Sequence, residues 1–211
     1  MSREGEHYTM QLYRQKYRMG SARCPGYNYS QNGCYFITIC TKNREHHFGN
    51  IVDGIMKLSG MGKIVSNEWK NTPNMRTCVF LGPWVVMPNH FHTIIIIDND
   101  HGFNQNTVDT HCAVDTHCNA YPPFRKNFSS YTHIKSSDYK NKFGPQSKNI
   151  SAIIRGFKGA VTKQIIMAGF SDFAWQSRFH DRIIRDDTEY HRIARYIMNN
   201  PKNWKNDKNY H

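Results

Sequence analysis

Acidic side chains are scarce in this chain of 211 residues: 16 Asp and Glu stand against 28 Lys and Arg, a formal net charge of +12 before twelve histidines are counted. That imbalance points to an anionic partner, with nucleic acid the first candidate. Long apolar runs are missing as well. Nothing approaches the ~20 apolar residues needed to cross a bilayer. Met1 to Gly20 is polar and charged, without the apolar stretch of a secretory signal. A cytoplasmic protein without membrane attachment is the expectation, with its six cysteines (Cys24, Cys34, Cys40, Cys78, Cys112 and Cys118) reduced. The C-x-x-C spacing of a zinc finger is absent, and so is the aromatic sheet motif of the common RNA-reading modules.

The most apolar stretch is Trp84-Val85-Val86-Met87-Pro88-Asn89-His90-Phe91-His92-Thr93-Ile94-Ile95-Ile96-Ile97. Four isoleucines suit a strand buried on both faces. Pro88 donates nothing to a ladder, so a bend is expected near Met87-Pro88-Asn89, feeding a central strand. Residues i and i+2 on a strand share a face. His90 and His92 therefore present paired imidazoles, with Phe91 turned into a core.

The rest of the chain frames that strand. Residues 1–33 read as an arm with Arg14, Lys16, Arg18 and Arg23 among Tyr13, Tyr17, Tyr27 and Tyr29. Cys34 to Thr41 is a strand by its β-formers, followed by a basic loop with Lys42 and Arg44, where His46 and His47 are expected to be solvated. Leu58 to Asn71 has helical spacing and stops at Thr72-Pro73. Thr77 to Leu81 leads into a strand at 83–87. Residues 150–168 carry Ile150, Ile153, Ile154, Phe157, Val161 and Ile165 on one helical face, with Arg155, Lys158 and Lys163 opposite. Phe173 to Ile184 reads as a loop into a strand. Asp186-Asp187-Thr188-Glu189 has capping-box spacing and opens a helix from Asp187 to about Asn199, ended by Pro201. The order strand, helix, strand, strand, helix, strand, extra helix predicts an α+β, ferredoxin-like (RRM-like) sandwich. Its antiparallel sheet has helices on one face and a C-terminal helix in addition. One domain over 34–204, with a tail at 205–211, is interrupted at about 98–148 by a low-complexity insertion. Within it Val108-Asp109-Thr110-His111-Cys112 recurs as Val114-Asp115-Thr116-His117-Cys118. The six-residue period favours repeat slippage over a zinc site.

Tyr196 and Asn200 lie four apart on the last helix and share a face. Two imidazoles, an amide oxygen and a phenol form a mixed donor set suited to a divalent ion such as Mg²⁺ or Mn²⁺ beside a phosphate. The phenol is a potential covalent nucleophile. At these residues the chain resembles a family. Met87-Pro88-Asn89-His90-Phe91-His92 looks like the His-hydrophobic-His (HUH) motif of single-tyrosine transposases, the enzymes of the smallest bacterial insertion sequences. Tyr196-Ile197-Met198-Asn199-Asn200-Pro201 resembles the tyrosine helix of its REP-associated branch. Trp175-Gln176-Ser177-Arg178-Phe179 is similar to that branch's W-Q-x-x-F segment. The resemblance covers roughly 34–97 and 150–204.

It implies a metal-dependent endonuclease that cuts single-stranded DNA beside an imperfect hairpin and rejoins it through a 5′-phosphotyrosine intermediate. Carried onto this chain, Tyr196 is the nucleophile, His90 and His92 are metal ligands, and Asn200 is the third. Such an enzyme acts on the bacterial nucleoid as a monomer or a homodimer. Lys42, Arg44, Arg155, Lys158 and Arg178 are the expected DNA contacts, with Trp175 and Phe179 in core roles. The competing expectation is a non-catalytic nucleic-acid-binding protein with an RRM-like fold. A zinc-binding interaction protein built on the His/Cys repeat ranks third.

Overall fold

The computed structural model describes residues 27–99 and 149–210. The basic positions of the arm and the repeat at 108–118 lie outside the described residues. Nine elements follow in order: β1 (Gly33–Cys40), β2 (Gly49–Val52), β3 (Ile55–Leu58), α1 (Gly60–Met75), β4 (Val79–Val86), β5 (His90–Ile97), α2 (Ile150–Met167), β6 (His180–Ile184) and α3 (Asp187–Asn199). The main sheet is antiparallel in the order β4-β5-β1-β6. This is the ferredoxin-like α+β arrangement expected from the order of elements, with α1 and α2 as its crossovers.

Strand alternation sorts side chains between two cores. Tyr35, Ile37 and Ile39 of β1 and Phe91, Ile95 and Ile97 of β5 meet Val65 and Trp69 of α1 and Ile153, Phe157 and Val161 of α2. Phe91 is the hub there, with ring centroids 5.1 Å from Trp69 and 5.5 Å from Phe157. Cys34, Phe36, Ile94 and Ile96 face the other way, onto Tyr190, Ile193, Ala194 and Ile197 of α3. Every residue of β1 and β5 is buried. Burial drives the Cys34 thiol up to about 12, consistent with an inert packing role. Among the described residues no helix is long and apolar enough to cross a membrane.

Three local features differ from expectation. β2 and β3 form a hairpin that the apolar pattern did not suggest, because each strand has only four residues. Its signal is Asp53-Gly54: both have positive φ, 50° and 74°, as a tight hairpin turn requires. Helix α1 runs past Thr72-Pro73 to Met75. Pro73 removes one hydrogen bond in the last turn, and Arg76 N–H closes onto the Pro73 carbonyl instead. Its buried stripe is Gly62, Val65, Ser66, Trp69 and Thr72, so Ile64 and Glu68 stand at its border. Strand β4 begins at Val79 and carries a register shift between Leu81 and Trp84, where Gly82 and Pro83 sit. An edge strand tolerates proline at such an irregularity.

Helix α1 approaches the loop before β2 closely. A Cβ on Gly62 would lie 2.2 Å from the Phe48 carbonyl oxygen. Gly62→Ala must displace backbone and is expected to destabilise the fold by about 1–3 kcal/mol, read as a lower urea midpoint. An unchanged midpoint would show that the α1–loop contact yields freely.

Candidate active site

Helix α3 sets the position of Tyr196. Asp186 Oδ1 accepts the Glu189 N–H at 2.7 Å, and Glu189 Oε2 accepts the Arg185 N–H at 3.0 Å. The reciprocal return bond therefore falls one residue earlier than the standard box. Burial of Tyr190, Ile193, Ala194 and Ile197 then fixes the helix rotation. Tyr196 is left at the edge, 40 % exposed, while Asn200 at the helix end is buried.

The imidazoles come from the start of β5. Met87 N–H bonds the His90 carbonyl across Pro88-Asn89 at 2.8 Å, giving the expected bend. The loop after β1 ties this bend down through Thr41 N–H to Asn89 O at 2.9 Å and Phe48 N–H to Pro88 O at 3.0 Å. His90 and His92 lie on one face with ring centroids 4.4 Å apart, both fully buried.

The hydrogen-bond network orients both rings. Asn89 Nδ2 donates to the carbonyls of Arg44 at 3.1 Å and Asn209 at 2.8 Å, which fixes its amide orientation. Its Oδ1, 2.8 Å from His90 Nδ1, must then accept, so Nδ1 carries the proton. His90 Nε2 keeps its lone pair and has no partner among the described residues. A buried, oriented, unpaired imidazole nitrogen is what a metal ligand requires. His92 Nδ1 is 2.8 Å from Thr38 Oγ1, its cross-strand neighbour, and Nε2 is 3.2 Å from the Tyr196 hydroxyl.

The tyrosine and the histidine strand thus converge as the sequence suggested. The structure adds Asp207. After α3 the chain turns at Trp204–Asn206 and returns across the site. Asp207 Oδ2 accepts from the Tyr196 hydroxyl at 3.1 Å and from Asn200 Nδ2 at 2.9 Å. Ligand atoms of His90, His92 and Asp207 all lie within 4.8 Å of one another. Asn200 Oδ1 is buried and unpartnered among the described residues, so an amide oxygen is also spare there. Sequence reasoning left Asp207 in the tail. Its only signal was a single acid among Lys205, Lys208 and asparagines. Two neutral nitrogens with a carboxylate or amide oxygen fit a divalent ion.

The expected DNA contacts come from separate elements: Lys42 and Arg44 follow β1, Arg155 and Lys158 lie on α2, and Arg178 precedes β6. Lys42, Arg155 and Arg178 are exposed. The Arg44 guanidinium bonds the Asn209 side chain. The Lys158 ammonium donates to the Gln176 carbonyl at 2.6 Å and lies 6.0 Å from the Trp175 ring centroid, so it braces the W-Q-x-x-F segment. Trp175 and Phe179 pack against the main core, as expected. His46 is exposed, whereas His47 is half-buried against Phe173, 3.1 Å from Glu45.

Electrostatics hold the site in a definite state. Burial, helped by the nearby Arg44, Lys208 and His46, holds His90 down at about 3. Burial and the neighbouring His90 hold His92 well below the usual imidazole range. Both rings are neutral near pH 7. Burial first, then the Asp207 charge, raises the Tyr196 phenol. Burial acts to raise Asp207, but hydrogen bonds from Asn209 N–H and Asn200, the nearby His92 and the Tyr196 hydroxyl outweigh it and hold the carboxylate low.

These shifts make stability pH-dependent. Below pH 6.5 the unfolded histidines take protons that the folded ones refuse. Stability is therefore retained above that pH and lost as pH falls from 6.5 towards 3, by about 1.4 kcal/mol per pH unit for each such imidazole. Urea unfolding in EDTA at pH 7 and pH 5 should show the drop. Equal stability at both values would mean that the rings take up protons in the fold.

No protein-family model matches the chain. An uncharacterized protein of Haemophilus influenzae is 34% identical over 190 residues, covering 90% of this chain and 92% of that protein. A solved structure of the REP-associated tyrosine transposase bound to a REP hairpin superposes with a TM-score of 0.52 at 17% identity, over 88% of this chain and 74% of that one. The chain belongs to one family with the Haemophilus influenzae protein, and its fold is that of the REP-associated tyrosine transposase, the family its histidine and tyrosine motifs resemble.

Proposed function

We propose that the protein is a metal-dependent single-stranded DNA endonuclease and transposase. In this reading it cuts and rejoins DNA beside imperfect hairpins through a 5′-phosphotyrosine intermediate. The observation that carries this is the convergence of a half-exposed phenol with two buried, neutral, paired imidazoles: the Tyr196 hydroxyl is 3.2 Å from His92 Nε2. A net charge of +12 supplies the long-range attraction to a phosphate backbone. The solved structure with this fold is bound to a REP hairpin, which supports the choice of substrate.

In this reading His90 Nε2, His92 Nε2 and an oxygen of Asp207 or Asn200 hold a Mg²⁺ or Mn²⁺ ion. When bound, the ion polarises the scissile phosphate and offsets charge as it develops. Tyr196 Oη attacks phosphorus. The Oη–P bond forms, the P–O3′ bond breaks, and the 3′ oxygen leaves, taking a proton from water to become a free hydroxyl. The phenol is neutral near pH 7, all the more so with its pKa raised, so its proton must leave during attack; Asp207 Oδ2, already its acceptor, is placed to receive it. Attack by a 3′-hydroxyl on the phosphotyrosine reverses the exchange. Phosphodiester energy is conserved, and no nucleotide cofactor is required.

The RRM-like binding reading has weaker support. A stacking reader needs an open aromatic sheet face, but β1 and β5 are covered on both sides. The assay is a 3′-end-labelled single-stranded hairpin oligonucleotide with Mn²⁺ or Mg²⁺, scored for an adduct that survives denaturing electrophoresis and is lost with EDTA. A chain that binds the hairpin yet forms no adduct under any ion condition would return the assignment to binding alone.

A further inference from the structure

An open pocket of about 270 Å³ begins at the Tyr196 ring and is lined by Tyr196, Asn200, Asn203, Asn206, Asp207 and Lys208. We propose that it is a nucleobase subsite, in which Asn203 and Asn206 read the base beside the scissile phosphate while Lys208 meets the backbone. The proposal rests on the nuclease reading above for the position of that phosphate.

The lining has the chemistry of a base edge. An asparagine amide offers a donor and an acceptor side by side, the complement of a nucleobase edge. The side chains of Asn203 and Asn206 are exposed and make no hydrogen bond among the described residues, so their capacity is unspent. Their positions are set by backbone instead: Asn203 N–H bonds the carbonyls of Asn199 and Asn200 at 3.1 Å, and Asn206 N–H bonds that of Asn203 at 2.9 Å. Asn200 Oδ1 is a buried acceptor without a partner on the same wall. Asp207, the one acid in the lining, is engaged with Tyr196, Asn200 and Asn209. Lys208 is exposed and lines the same pocket as Tyr196, where its ammonium can meet a phosphate. The half-exposed Tyr196 ring adds a π-face on which a base can lie.

A phosphate within reach of Tyr196 Oη carries its neighbouring sugar and base beside the same ring, where this pocket opens. The walls expose more apolar than polar surface, which suits the face of a base, while the amides suit its edge; a free anion would leave both unused. The nucleotide that flanks the reacting phosphate satisfies both.

The test is an abasic scan with the Tyr196→Phe chain, which leaves the oligonucleotide uncut. Hairpin oligonucleotides with one abasic site at each single-stranded position are titrated in turn. One abasic position should weaken binding about tenfold, the scale of one bidentate amide–base pair. In the Asn203→Ala/Asn206→Ala background the same lesion should cost less than about twofold. Lys208→Gln should weaken every oligonucleotide alike and lower the salt slope by about one. If no abasic position loses its penalty when both asparagines are removed, the subsite is not there. The scan reads binding, so wild-type failure to form an adduct would overturn the nuclease reading separately, without changing what the scan shows about the base.

Discussion

Tyr196→Phe forms no covalent DNA adduct at any Mn²⁺ or Mg²⁺ concentration, yet it holds the labelled hairpin about as tightly as the parent chain. The substitution removes one oxygen and leaves the ring, which packs edge-on to Phe36 at 6.1 Å. The missing hydroxyl takes with it two hydrogen bonds, to Asp207 Oδ2 and His92 Nε2. Asp207 keeps its bonds from Asn200 Nδ2 and Asn209 N–H, so no carboxylate is stranded. The stability change should stay within ~1 kcal/mol, the net worth of a part-exposed hydrogen bond. Loss of activity therefore cannot be assigned to unfolding. The competing chemistry is direct hydrolysis by a water molecule, which would nick DNA without a covalent intermediate. Denaturing gels separate the two. Continued nicking by Tyr196→Phe, or a persistent adduct, would remove Tyr196 from the role of nucleophile.

Sequence legibility followed the length of the pattern. β5 was readable because eight consecutive residues alternate between two cores, with His90 and His92 displaced to the even side. Helices α2 and α3 were readable from apolar spacing, with the Asp186 cap and Pro201 marking the ends of α3. The β2–β3 hairpin escaped because four-residue strands carry too little alternation, although Asp53-Gly54 was a turn signal in plain view. Asp207 escaped for a different reason. A ligand in irregular backbone has no periodicity, and only the fold shows that residues 204–210 return to β5 through Asn209. That return is fixed by a backbone carbonyl, since Asn209 O accepts from Asn89 Nδ2. Backbone acceptors have no sequence signature. The same bond makes Asn89 more than a bend residue: its amide ties the 204–210 segment and the Arg44 loop to the proton position of His90.

The paired imidazoles should separate catalysis, binding and stability when they are removed one at a time. His90→Ala and His92→Ala are each expected to lower adduct formation by on the order of a thousandfold, since an ion at a phosphate is worth several kcal/mol of transition-state stabilisation. Both rings are fully buried behind Tyr196, Asp207 and Trp204, so hairpin binding should be largely kept. Mn²⁺ affinity, measured by calorimetry without DNA, should fall in both variants. Stability supplies an independent readout. Each ring stays neutral in the fold and so weakens the chain in acid; removing one should flatten the loss between pH 6.5 and pH 5 by roughly 2 kcal/mol. Against this, His90→Ala leaves a cavity and orphans Asn89 Oδ1, at a cost of about 1–3 kcal/mol at every pH. The variant should thus be weaker than the parent at pH 7 and close to it at pH 5. His92→Ala leaves Thr38 Oγ1 half-satisfied and should follow the same crossover with a smaller offset. If instead either variant loses hairpin binding and melts together with the fold while Mn²⁺ affinity is unchanged, the histidines are core residues and the metal lies elsewhere.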